Sequence, residues 1–160
     1  MFTKLSHTNS RPAKPTLVWD GNCGFCKFWI IRWKRLSGDK IQFKPYQEAI
    51  HDFKDIDERF FKEAARLIDV DGKLYDGPAA AYKSLSIAGK YPYLLSWYEG
   101  SSFFRKLSDF GYQTIADNRN FAMKATKFLV GDNPINLKSY WVFYLMILLG
   151  ILLLYLGRMA

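Results

Sequence analysis

Thr16-Leu17-Val18-Trp19 is a short apolar run, Asp20-Gly21-Asn22 breaks it, and Cys23-Gly24-Phe25-Cys26 opens a stretch of different period. From Cys23 onward, Phe25, Trp29, Trp33 and Leu36 fall on one face, with Lys27, Lys34 and Arg35 turned away. That is helical spacing after a buried strand. The cysteine pair is therefore predicted at a strand-to-helix junction.

The rest of the chain extends the pattern. Ser37-Gly38-Asp39 ends the helix, and Lys40-Ile41-Gln42-Phe43-Lys44 alternates like a half-buried strand. A second helix is expected from Asp57 to Ala65. Arg66-Leu67-Ile68-Asp69-Val70, a turn at Asp71-Gly72, and Lys73-Leu74-Tyr75 form a hairpin pattern. Pro78 opens a further helix through Leu85, and helical segments follow at about 94–111 and 112–129. Strand, Cys-bearing helix, strand, helix, hairpin, helix is the thioredoxin-like plan. The expected fold is α/β: a thioredoxin-like domain with extra C-terminal helices and one C-terminal transmembrane helix.

That last helix is predicted from residues 140–157, which carry no charge and are bracketed by Lys138 and Arg158. Eighteen residues span about 27 Å, near the thickness of a bilayer core. Tyr140, Trp141 and Tyr144 at one end and Tyr155 at the other suit an aromatic belt. Val130-Gly131-Asp132-Asn133-Pro134 is a loop signal ahead of it. The expected division is a flexible arm at 1–15, a thioredoxin-like domain at 16–134 and a transmembrane helix at 139–157. Residues 1–16 lack the apolar core of a signal peptide. The expected placement is thus a single-pass membrane protein with a C-terminal anchor and its soluble domain in the cytoplasm.

The net charge of +8 suits an anionic lipid surface. Membrane lipid is accordingly an expected partner. Nucleic acid is not, for want of zinc-finger spacing, an RRM aromatic octapeptide or a basic helix without an apolar face.

Only two cysteines occur, three positions apart, too few for a secreted disulfide scaffold. At a helix start, orphan N–H groups and the helix dipole favour the Cys23 thiolate. Cys26 lies one turn further in, within disulfide distance. The division expected is an exposed, attacking Cys23 and a shielded, resolving Cys26. Two merely structural cysteines would pack as small hydrophobes. A structural zinc would need four ligands, and the only histidines are His7 and His51. No cofactor and no metal are expected. Asp20 could move a proton for Cys26, or it could cap the helix or shape the turn.

Trp19-Asp20-Gly21-Asn22-Cys23-Gly24-Phe25-Cys26 closely resembles the signature of the DCC family of thiol-disulfide oxidoreductases (DUF393), with Asp20, Cys23 and Cys26 in the Asp-x-x-Cys-x-x-Cys positions. The similarity continues in Phe43-Lys44-Pro45-Tyr46-Gln47, Tyr75-Asp76-Gly77 and Ile115-Ala116-Asp117-Asn118-Arg119. The resemblance implies a thioredoxin-like fold and an oxidoreductase acting on a protein or small-molecule disulfide, with Cys23, Cys26 and Asp20 as its catalytic residues. Two departures stand out: no cysteine follows near Asp132, and no proline lies between Pro45 and Pro78. Thioredoxins place a cis-proline before the third strand, so Ala64 or Ala65 would occupy that spot here. The rival class is a membrane-tethered module whose cysteines hold a metal or a partner without turnover.

Overall fold

Alternation along the strands divides the interior into two halves. In the computed structural model, which describes residues 2–159 with the side chains of 153 and 157–159 left aside, β1 (Thr16–Trp19) lies between β2 (Gln42–Pro45) and β3 (Arg66–Ile68). With β4 (Leu74–Asp76) the order is β2-β1-β3-β4. The β1–β2 pair is parallel, joined through helix α1 (Gly24–Ser37), and β3 runs antiparallel to both β1 and β4. This mixed α/β order is one that the thioredoxin-like plan shares.

Leu17, Leu67 and Tyr75 are in register across three strands and share one face, where they pack with Ile30 of α1 and with Ala79 and Ala80 of α4 (Pro78–Ile87). Val18, Ile68 and Leu74 point the other way, onto Ala49 of α2 (Tyr46–Ala49), Phe53 and Phe61 of α3 (Glu58–Glu63). The hairpin forms as its Asp-Gly turn dictates, with Gly72 at φ 81°, a conformation that glycine adopts at no steric cost.

The helices after α4 are α5 (Tyr93–Gly100), α6 (Ser102–Asp117) and α7 (Arg119–Val130). The expected break near Gly111 falls instead at Asn118, and Gly111 is interior to α6. Ser101 starts α6 by accepting the Phe104 N–H on its hydroxyl, the usual device of an N-cap serine.

The expected free arm at 1–15 is docked over the residues described. Thr8 N–H donates to Gly72 C=O and Leu74 N–H to Ser6 C=O, both at 2.9 Å, so this segment covers the free edge of β4. Phe2 is buried against Tyr112 and Gly77. Further along, Asp55 accepts from the Thr8 hydroxyl and the Asn9 N–H, each at 2.7 Å.

The transmembrane helix and the single-pass placement built on it are corrected. Helix α8 (Tyr140–Met159) forms, but among the described residues no helix is long and apolar enough to cross a membrane. Positions 153 and 157 of the expected span lie outside the described side chains. The first turns of α8 are also engaged by the domain: Tyr144 stacks on Phe128 of α7 with ring centroids 4.4 Å apart. The membrane-lipid partner expected from the net charge is not supported either.

Two carboxylates make the fold sensitive to acid. Burial pushes Asp55 up, but hydrogen bonds from Thr8 and Asn9 outweigh it and hold the carboxyl below its ordinary value. Burial likewise acts on Asp69, outweighed by Lys83 at 2.8 Å and the Val70 N–H. A carboxyl with a depressed folded pKa adds stability above its unfolded pKa, and loses it as pH falls through the folded value. Urea midpoints should therefore hold down to about pH 4 and fall below it. An Asp55→Asn, Asp69→Asn double variant should show a shallower acid limb.

Candidate functional site

A tight turn delivers the cysteines to the start of α1. Cys23 N–H donates to Asp20 C=O at 3.0 Å, and Asn22 N–H to the Asp20 carboxylate at 3.1 Å. Gly21 passes so close to β2 that an added Cβ would lie 2.9 Å from the Pro45 Cβ, and its N–H donates to Gln47 Oε1. The Pro45-Tyr46-Gln47 segment thus braces the turn from below.

Cys23 is the N-cap of α1, and its sulfur accepts the Cys26 N–H at 3.1 Å. Cap positions usually carry Ser, Thr, Asp or Asn; here the sulfur takes that role. Cys23 and Cys26 are joined as a disulfide, with Cα atoms 5.2 Å apart. Asp20 does not cap the helix. Its carboxylate shapes the turn through Asn22 and accepts from Arg119 Nη1 at 2.9 Å.

The expected order of exposure is reversed. Cys23 retains only 8% of its surface, whereas Cys26 is half-buried. Cys26 faces a cavity of about 40 Å³ that Asp20 and Arg119 also line. Phe61, Ala64 and Ala65 form its walls from one side, and Tyr112, Ile115 and Ala116 of α6 from the other.

Ala64 and Ala65 precede β3 beside the cysteines, as the strand order demands. Ala64 is extended, at φ −151° and ψ 152°. The Ala65 N–H donates to the Tyr112 hydroxyl at 2.9 Å. Burial raises the Tyr112 hydroxyl pKa, so this group is a neutral acceptor to Ala65 at any ordinary pH.

Arg119, at the start of α7, closes the site. Besides Asp20, it donates to Lys62 C=O at 3.0 Å and to Ala116 C=O at 3.1 Å. One guanidinium therefore ties the cysteine turn, the end of α3 and the α6–α7 junction. Its side chain lies 99 residues from Asp20 in sequence, and no local pattern announces such a pairing. The Asn118-Arg119 stretch was visible only as a piece of family similarity. Tyr112 carried no signal at all.

Residues 17–125 match the family model of the DCC1-like thiol-disulfide oxidoreductases. The chain belongs to that family. No curated protein and no solved structure matches it. The DCC1-like match spans the strands, the Cys-x-x-Cys turn, Asp20 and Arg119, and the pair it contains is at disulfide distance. Family membership indicates thiol-disulfide oxidoreductase activity. Among the described residues, no group of three or more His, Cys, Asp or Glu side chains is placed to hold a metal ion.

Proposed function

We propose that this DCC1-like protein exchanges thiols and disulfides with protein substrates through the Cys23–Cys26 pair, with residues 16–134 as the working unit and Asp20 assisting. The observation that carries the reading is the disulfide at the first turn of a fourteen-residue helix, with an amide N–H already donating to one sulfur. Exchange passes through a thiolate. A donor aimed at sulfur, together with the positive end of the helix dipole, lowers the energy of that thiolate. A buried structural disulfide would instead offer no opening at either sulfur, whereas Cys26 here meets a cavity.

Asp20 enters the proposal as the only carboxylate lining that cavity. Each exchange releases or takes up a proton at sulfur, and a carboxylate at the cavity wall can relay it. The Arg119 guanidinium fixes its orientation.

Reduction of insulin disulfides by the purified full chain, driven by dithiothreitol, tests the function. The wild type should accelerate reduction over dithiothreitol alone, by at least about tenfold if the thiolate is stabilised as argued. The Cys23→Ser, Cys26→Ser double variant should give no acceleration. Equal rates for wild type and double variant would reduce the pair to a structural disulfide.

A further inference from the structure

A second cavity, of about 200 Å³, lies between the N-terminal segment, the β3–β4 hairpin, α4, α5 and α6. It is larger than the cavity at the cysteines and shares no lining residue with it. The exchange reading gives it no role. Leu5, Leu74, Ala79 and Tyr98 supply its apolar wall, and all of these but Leu5 are buried.

Charged groups stand around that wall, and most are already matched. Lys4 Nζ donates to the Asp109 carboxylate and, at 3.0 Å, to the Tyr98 hydroxyl, which itself donates to Asp109 at 2.7 Å. Asp76 accepts from Arg66 and from the Leu5 N–H. Lys73 and Glu99 face each other at 3.7 Å. Arg105 is the exception. It stands one turn before Asp109 on α6, lines the cavity and is half-buried. It is near enough to Tyr98 to oppose the rise in hydroxyl pKa that burial and Asp109 cause. Yet among the described residues no carboxylate and no carbonyl accepts from its guanidinium. A half-buried guanidinium gives up hydration, and that loss is offset only when an acceptor replaces the water.

We propose that this cavity binds a small aromatic monocarboxylate, with its carboxylate on Arg105 and its ring against Leu5, Leu74, Ala79 and Tyr98. Size, charge and shape each point to that class. A cavity of about 150 Å³ holds benzene, so one of about 200 Å³ takes a benzene-sized ring with a carboxylate attached. With the matched pairs set aside, Arg105 is one positive charge without a counterpart, which calls for a monoanion. A dianion would bring its second charge toward Glu99 and Asp76. The planar fork of arginine fits a carboxylate in a bidentate pair. Tyr98, whose ring is held against Tyr82 at 5.9 Å, offers a preformed surface to a flat, rigid body.

Para-fluorobenzoate serves as the probe, titrated against the full chain and followed by fluorine NMR line width. At about pH 7.5 it is ionised, and a phosphate monoester is a dianion. Saturable one-site binding is expected, with a Kd at or below about 1 mM. Neutral para-fluorobenzamide should bind at least about tenfold more weakly, since it forms no charge-assisted pair. Para-fluorophenyl phosphate should also bind more weakly than the benzoate. Arg105→Gln should weaken benzoate binding at least about tenfold. Lys106→Gln removes the same charge from the exposed neighbour, and should change binding less than about twofold. Urea melts establish that both variants fold, and the amide and phosphate comparisons use the wild type alone. Absence of saturable binding overturns the proposal. So does an amide that binds as well as the benzoate, a phosphate that binds as tightly, or an equal loss in the two variants. None of these results bears on the exchange function.

Discussion

Arg66→Met should cost this protein about 3–5 kcal/mol of stability, a large share of the 5–15 kcal/mol typical of a domain. Arg66 has no exposed surface. It stands directly opposite Asp76 across the β3–β4 pair, and its Nη1 donates to the Asp76 carboxylate. Its Nε donates to Phe60 C=O and its Nη2 to Thr3 C=O, both at 2.9 Å. The guanidinium thus joins β4, α3 and the N-terminal segment on the face that carries Val18 and Ile68. Methionine fills the volume, but it takes a donor from three acceptors; Phe60 C=O keeps the Ala64 N–H and Asp76 the Leu5 N–H, while the buried carboxylate loses its counter-charge. Removing one partner of such a pair is much worse than removing both. Arg66→Met combined with Asp76→Asn should recover at least about 1 kcal/mol, because asparagine still accepts the Leu5 N–H that Asp76 accepts at 2.7 Å. The sign with pH is also set. Burial already raises the Asp76 carboxyl, with Arg66 and the Leu5 N–H opposing it. Without Arg66 the folded pKa rises further, so the single variant should lose stability as pH increases through that value. Urea melts at about pH 5 and pH 8 would show it. A loss under about 1 kcal/mol at both would mean that the pair contributes no more than an exposed one.

Arg66 illustrates where sequence reading reaches and where it stops. The hairpin holding it was legible, because Asp71-Gly72 between two apolar runs is local chemistry. So was the strand–turn–helix that presents the cysteines, since a short apolar run, an Asp-Gly-Asn break and a 3.6-residue period follow within a few residues. The Arg66–Asp76 pairing follows only once the register is known. The docked N-terminal segment escaped for a related reason: its polar composition suggests solvent, yet its backbone groups find partners on the β4 edge and Phe2 finds Gly77 and Tyr112. Composition does not reveal an open strand edge waiting to be covered. The relative exposure of the cysteines was not legible, because the helix dipole acts on both sulfurs, whereas the surroundings of Cys26 come from α3, α6 and α7, which arrive from elsewhere in the chain. Asp20 was located correctly as a neighbour of the pair, but Arg119 supplies the contact that defines its environment. The charge-free tail showed helix and apolarity, and those two properties do not specify what a helix packs against.

Asp20→Asn should slow exchange by about a hundredfold while changing stability by less than about 1 kcal/mol. The small stability effect follows from exposure: Asp20 and Arg119 side chains each keep over a fifth of their surface, so the ion pair is partly solvated. Asparagine also preserves the acceptor for the Asn22 N–H, so the turn survives. The rate effect follows from position, since Asp20 lines the cavity onto which Cys26 opens. Two mechanisms could produce a slower variant, and they differ in pH profile. If Asp20 relays protons to and from sulfur, the variant stays slow across the range and hydroxide or buffer bases partly restore the rate. If Asp20 acts only by restraining Arg119, the freed guanidinium moves toward Cys26 and lowers its thiol pKa, shifting the profile to lower pH without a lower plateau. The proton-relay assignment requires the first pattern. Insulin-reduction rates and urea melts on the same preparation would check it. A variant that loses several kcal/mol yet exchanges normally per folded molecule would make Asp20 a brace for the turn.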